Sequence, residues 1–144
     1  MRITKHTDYA LRVLLFLAVR PGERVATQSV ADAYGISHAH LQKIARTLGE
    51  LGLLHLHRGA NGGIELARDP GEISVGEVMR ALDDRDALIE CFQPETDTCV
   101  VSSSCGLKSA LRGAQEAFYA TLDPITLEAL LRRRSAKLRS LTGD

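Results

Sequence analysis

The chain has 144 residues, 44% of them hydrophobic and 25% charged, with a formal net charge of zero. This is enough for one sizeable core, or for a small domain with an oligomerising appendage. The longest apolar run, residues 13–19, is too short to cross a membrane, and no targeting segment is evident, so a soluble cytoplasmic protein without membrane association is expected.

The zero sum conceals an asymmetry. Residues 1–68 hold nine Lys or Arg against five acids, residues 69–128 four against twelve, and residues 129–144 five against one. Basic ends permit phosphate contacts without demanding them. No nucleophile–base motif and no nucleotide loop in the right context is present, so the chain does not read as an enzyme.

A first helix is expected over about residues 4–19, where Leu11, Leu14, Leu15 and Ala18 form an apolar face before the Pro21-Gly22 break. A second begins at about Thr27, packs through Val30, Ala31 and Ala33, and stops at Gly35, because glycine takes a left-handed C-terminal conformation most easily. Ser37 reads as the N-cap of a third helix, with Leu41, Ile44, Ala45 and Leu48 at helical spacing and Gly52 closing it. Two helices across a short turn make a helix-turn-helix.

Leu54 and Leu56 then alternate with His55 and His57 as in a half-buried strand, and a glycine-rich turn from Arg58 to Gly63 leads to Ile64-Glu65-Leu66. This is a β-hairpin wing. In such a fold the third helix enters the major groove of double-stranded DNA. Ser37, His38, Ala39, His40, Gln42 and Lys43 would then face bases and phosphates, with Arg46 a turn further on. Arg58 at the wing, beside Asn61 and Gly62, is shaped to reach a minor groove. Lys43 and Arg58 outweigh the histidines, which are more often solvated surface residues.

A turn-rich boundary falls at residues 67–71, after which Ser74-x-x-Glu77 forms a capping box for a helix through Val78, Met79, Ala81 and Leu82. Asp83, Asp84 and Asp86 lead into a polar segment containing every cysteine of the chain: Cys91, Cys99 and Cys105. A long helix follows with Leu107, Leu111, Ala114, Phe118 and Leu122 on one stripe, which a lone helix cannot bury, so a homodimer bound to a palindromic operator is expected. Asp123-Pro124 ends it, and a short helix restarts at Thr126 through Leu127, Leu130 and Leu131. The Arg-rich tail from Arg132 is expected to be frayed. The expected organisation is a winged helix-turn-helix domain at 1–68, a cluster-binding loop with a dimerisation helix at 69–131, and a basic tail at 132–144. The fold class is mainly α with one small hairpin.

Three thiols cannot all pair within one chain, and nothing suggests an oxidising compartment, so a metal is the expected partner. Zinc sites favour C-x2-C pairs and four ligands, whereas the spacing here is Cys-x7-Cys-x5-Cys, and no histidine follows His57. Wide spacing suits a bulkier iron-sulfur cluster. A zinc-stapled module and three independent reduced thiols remain open on spacing alone.

These residues resemble a known family, the winged-helix iron-sulfur repressors that include NsrR, IscR and RirA. The resemblance extends over about residues 1–131. It rests on Thr7-Asp8-Tyr9-Ala10-Leu11-Arg12, on Ser37-x-x-His40-Leu41-x-Lys43-Ile44, and on Arg58-Gly59-x-Asn61-Gly62-Gly63. Glu90-Cys91-Phe92, Cys99, Cys105-Gly106-Leu107-Lys108, Ala117-Phe118 and Leu122-Asp123 complete it. It implies a homodimeric repressor with an iron-sulfur cluster on Cys91, Cys99 and Cys105, 4Fe-4S in preference to 2Fe-2S. IscR-like members use a histidine three residues after the last cysteine, where this chain has Lys108. NsrR-like members use a helix-one aspartate from the opposite subunit, matched here by Asp8, and sense nitric oxide. An iron-responsive repressor is the alternative, since RirA-like sensors share the cysteine spacing. An ordinary surface pair with Arg12 is the plain reading of Asp8.

Overall fold

The computed structural model describes residues 3–59, 62–83, 88–132 and 135–142. The first helix, α1 (Lys5–Ala18), is capped by Thr4, whose hydroxyl accepts from the Thr7 amide at 3.1 Å. Its Ala10, Val13, Leu14, Phe16 and Leu17 are almost wholly buried, while Leu11 and Leu15 are only half-buried. One apolar face was expected, but α1 is covered on several sides and forms the central column of the core.

Two helices pack beside it. In α2 (Thr27–Tyr34) Val30 and Ala31 are buried, but Ala33, expected to pack, is exposed. Gly35 takes φ 62° and the Ile36 amide donates back to the Ala31 carbonyl at 2.9 Å, closing the helix in the left-handed manner that favours glycine. The recognition helix α3 (His38–Glu50) starts on Ser37, whose hydroxyl accepts from the His40 amide at 3.3 Å, and buries Leu41, Ile44, Ala45, Thr47 and Leu48 against α1 and α2.

The wing is an antiparallel pair, β1 (Leu54–His57) and β2 (Gly63–Leu66), in the register Leu54↔Leu66, His55↔Glu65, Leu56↔Ile64 and His57↔Gly63. Val25 and Ile64 exchange both backbone hydrogen bonds, at 2.9 and 2.8 Å, a single antiparallel rung that joins residue 25 to β2. A Cβ on Gly63 would lie 2.5 Å from the Val25 carbonyl oxygen, so this rung requires glycine. Leu54 is buried as expected, but Leu56 is 48% exposed, because the sheet projects past the core toward its tip.

The expected boundary near residues 67–71 is a turn, with the Asp69 carboxylate accepting from the Gly71 amide at 2.7 Å, but it does not divide the packing. Ile73, Val78 and Leu82, from the segment containing α4 (Val75–Asp83), share one core with α1–α3, as do Leu127 and Leu131 of α6 (Leu127–Leu131). The Ser74 hydroxyl accepts from the Glu77 amide, half of the expected capping box, while the Glu77 carboxylate turns to Arg68 at 2.7 Å. That bond holds the Glu77 carboxyl below its ordinary value.

The long helix α5 (Gly106–Leu122) leans on α4 through its C-terminal end. Tyr119 is buried with Met79 and Val75, and Arg80 reaches Glu116 at 2.5 Å and Asp123 at 2.9 Å while lying 4.6 Å over the Tyr119 ring. Its first twelve residues contain no buried side chain; Leu107 is 66% exposed. The tail corrects an expectation. Instead of fraying, it forms α7 (Ser135–Thr142), which packs on α1 and α2 and sets Leu138 against the core.

Candidate functional site

The capped start of α3 presents Ser37, Ala39, Gln42, Lys43 and Arg46 to solvent, and Arg58 is exposed on the wing. Between α3 and the wing runs an open cleft of about 790 Å³ whose lining includes Gln42, Arg46, Arg58 and Gly62. Asn61 lies outside the described residues. The cleft also takes in Thr27, Gln28 and His57, which sequence reasoning did not single out. Only folding brings the start of α2 beside the wing. Within it, His57 Nε2 meets Glu65 Oε1 at 2.7 Å across the two strands and ties them together next to the wing's turn.

Two of the predicted reading residues are occupied within the fold. His38 Nε2 is 2.9 Å from the Thr27 hydroxyl, which joins the two helices of the motif across their turn. His40 meets the Tyr9 ring edge-on at 5.4 Å, linking α3 to α1. Both are half-buried. Lys43, Arg46 and Arg58 point outward as cations, the arrangement that phosphate contacts need.

On α1, Asp8 accepts from Arg12 Nε at 3.0 Å and from Nη2 at 2.7 Å, a bidentate pair one turn apart. These bonds hold the Arg12 guanidinium above its ordinary pKa. Arg12 in turn lies 5.6 Å over the Tyr9 ring. Asp8, Arg12, Tyr9 and His40 thus form a continuous line from the first turn of α1 to the recognition helix. The sequence shows the i,i+4 spacing of Asp8 and Arg12, but not the contact with His40.

The cysteine loop lies on the surface. Cys91 sits in a 3-10 turn at Glu90–Phe92, Cys99 follows a stretch of irregular backbone, and Cys105 is the N-cap of α5, its sulfur accepting from the Lys108 amide at 3.4 Å. All three thiols are free; Cys91 and Cys105 are half-buried and Cys99 is exposed. The Glu90 carboxylate accepts from the amide and hydroxyl of Thr98, and the Arg112 guanidinium lies 5.1 Å over the Phe92 ring. Lys108, Asp97 and Ser102 form a further network. The hydrogen bond from Ser102, and then the Lys108 ammonium, holds the Asp97 carboxyl below its ordinary value.

Among the described residues, no three Cys, His, Asp or Glu side chains lie close enough together to hold a metal ion. The donor set nevertheless fits an iron-sulfur group in kind. Three free thiols share one loop, and one of them stands at a helix N-terminus with its sulfur accepting from a backbone amide. Lys108 is tied to Asp97 at 3.2 Å. Asp8 is paired inside its own helix, with its side chain 44% exposed.

A helix-turn-helix with a hairpin wing, joined to a long, half-uncovered helix, defines a winged-helix transcription regulator. Residues 3–133 match the Rrf2 family, described as an iron-dependent transcriptional regulator. The chain is 43% identical over 142 residues to the HTH-type transcriptional regulator NsrR of Bacillus subtilis, covering 98% of this chain and 97% of that one. It is 46% identical over 145 residues to NsrR of Geobacillus kaustophilus, covering 100% and 98%. Among solved structures, T. potens IscR superposes with a TM-score of 0.70 at 26% identity, covering 92% of this chain and 87% of that one. The chain belongs to the Rrf2 family and resembles its members named NsrR. Among the described residues no helix is long and apolar enough to cross a membrane.

Proposed function

We propose that the protein is a homodimeric repressor of transcription that reads a palindromic operator and releases it when an iron-sulfur cluster on Cys91, Cys99 and Cys105 meets nitric oxide. One observation carries this reading: Cys105 is itself the N-cap of α5, so the thiol loop and the helix with the uncovered apolar stripe share a residue. A change at the loop is therefore felt at the start of the dimer helix. The names of the relatives, NsrR and an iron-dependent family, support the same reading.

Asp8 of the opposite subunit would complete the ligand set. When bound, the cluster supplies an iron centre open to nitric oxide, most readily where its protein donor is a carboxylate, because oxygen is a hard partner for sulfide-bound iron. Asp8 is cheap to recruit, since an exposed pair such as Asp8–Arg12 is worth only a few tenths of a kcal/mol. Drawing Asp8 away frees Arg12 above Tyr9 and shifts the ring that meets His40. Releasing Asp8 restores the pair in the geometry described above. A hundredfold change in operator occupancy needs a bias of only about 2.7 kcal/mol between the two arrangements.

The decisive experiment is anaerobic purification with iron and sulfide counts, followed by operator binding before and after stoichiometric nitric oxide. Tight binding lost on nitrosylation is expected. A colourless protein without iron or sulfide, or Cys99→Ala protein that binds and responds like wild type, sinks the reading. Asp8→Ala should keep iron on three cysteines but change the rate of reaction with nitric oxide.

A further inference from the structure

We infer that Lys108 is a positioning residue that closes the Cys99–Cys105 arc of the thiol loop before any group is bound. The inference rests on the cluster reading for its purpose, but not for its geometry. Lys108 belongs to the first turn of α5 and touches both ends of the arc. Its backbone amide donates to the Cys105 sulfur at 3.4 Å. Its ammonium reaches Asp97 Oδ2 at 3.2 Å and also hydrogen-bonds the Ser102 hydroxyl, which itself donates to Asp97. The other oxygen of Asp97 accepts from the Cys99 amide at 3.1 Å. A single side chain thus connects the residue that holds Cys99 to the helix turn capped by Cys105.

The tie is shielded although the loop is not. Lys108 and Asp97 are only 23% and 16% exposed, on a segment whose neighbours Val100 and Val101 are 97% and 56% exposed. A surface loop with no apolar packing beneath it would otherwise lose its shape to chain entropy. Cys91 stands outside this closed arc, on a 3-10 turn braced by Phe92 and Arg112 and tied to Thr98 through the Glu90 carboxylate. Two thiols are therefore presented as a preset pair, while the third is joined to them less directly, through the bonds from Thr98 to the Glu90 carboxylate. Presetting a pair of donors lowers the ordering cost of binding whatever they hold.

The test uses the full-length protein, first free of metal. In Lys108→Met, amide hydrogen exchange over residues 97–105 should quicken about tenfold relative to wild type as local closure is lost. The rate at which Cys99 is labelled by a disulfide reagent should rise with it, while Cys91 labelling changes less. Asp97→Ala should reproduce the effect from the other end, and Lys108→Arg should restore slow exchange. Circular dichroism and thermal unfolding check that each variant is folded. Wild-type exchange rates in both Lys108→Met and Asp97→Ala would overturn the inference, as would equal acceleration at Cys91. A second arm compares loss of iron to a chelator from anaerobically reconstituted protein, expected to be faster in Lys108→Met and restored in Lys108→Arg. Wild type that takes up no iron defeats the cluster reading and leaves the metal-free arm to judge Lys108.

Discussion

Replacing Gly76 with alanine places a methyl group where α4 meets the end of α5. The new Cβ would stand 2.7 Å from the Asp123 amide nitrogen and 2.8 Å from its Cα, about 0.7 Å inside ordinary contact, and 2.1 Å from a carboxylate oxygen of the same residue. The carboxylate can swing away, but backbone cannot. The neighbouring seam is stitched by the Ser74 hydroxyl donating to the Asp123 carbonyl at 2.8 Å, the Val75 amide to Ile125 at 2.8 Å, and the Leu127 amide to Ile73 at 3.0 Å. Separating the strands of this seam costs roughly 1–3 kcal/mol in overpacking, plus part of about 1 kcal/mol for each stretched bond. Helix propensity acts the other way, since alanine is favoured over glycine by about 1 kcal/mol. A net loss of about 1–3 kcal/mol is expected, visible as a lower urea midpoint and a Tm drop of roughly 3–10 °C in metal-free protein. Equal or higher stability would mean that propensity decides, and would refute the close approach of α4 and residue 123.

Three further outcomes follow from the same geometry. Lys43→Ala and Arg58→Ala should each weaken operator binding and lower the dependence on log salt by about one unit, read by titration at several salt concentrations; unchanged affinity in both would refute the assigned DNA face. Leu107→Asp should leave the thermal unfolding of the winged core intact but shift sedimentation toward the monomer, because Leu107 is 66% exposed and belongs to no buried cluster among the described residues; a persistent dimer would place the interface elsewhere. The Glu77 pKa is depressed by Arg68, so its contribution is complete above its ordinary value of 4.5 and disappears as pH falls through the lower folded value. Glu77→Gln should therefore lose stability near neutrality by less than about 1 kcal/mol, because the pair is half-exposed, and should acidify with a shallower loss. Parallel pH profiles for the two proteins would count against the pair.

The helices of the DNA-binding motif were legible because their signals are local. Ser37 caps α3, Gly35 takes positive φ, and Leu41, Ile44 and Leu48 recur at the helical period, each fixed by the few residues around it. The expectations that failed depended on distant neighbours. Ala33 and Leu56 are exposed, whereas residues 135–142 form a helix because α1 and α2 offer Leu138 a place to pack. On either side of the turn near residue 69 the chain contributes to one core, since Ile73, Leu127 and Leu131 return to α1.

The candidate sites divide in the same way. Three cysteines in one polar stretch, a capped recognition helix and a glycine-rich wing are properties of short windows, and the sequence by itself determined them. Which groups those residues meet was decided by tertiary structure. Tyr9 reaches His40, Thr27 reaches His38, Arg80 joins Glu116 to Asp123, and Lys108 crosses the loop to Asp97. Side chains far apart in sequence or on different elements share no periodic signal, and they become partners only when burying α1 on several sides fixes the helices around it.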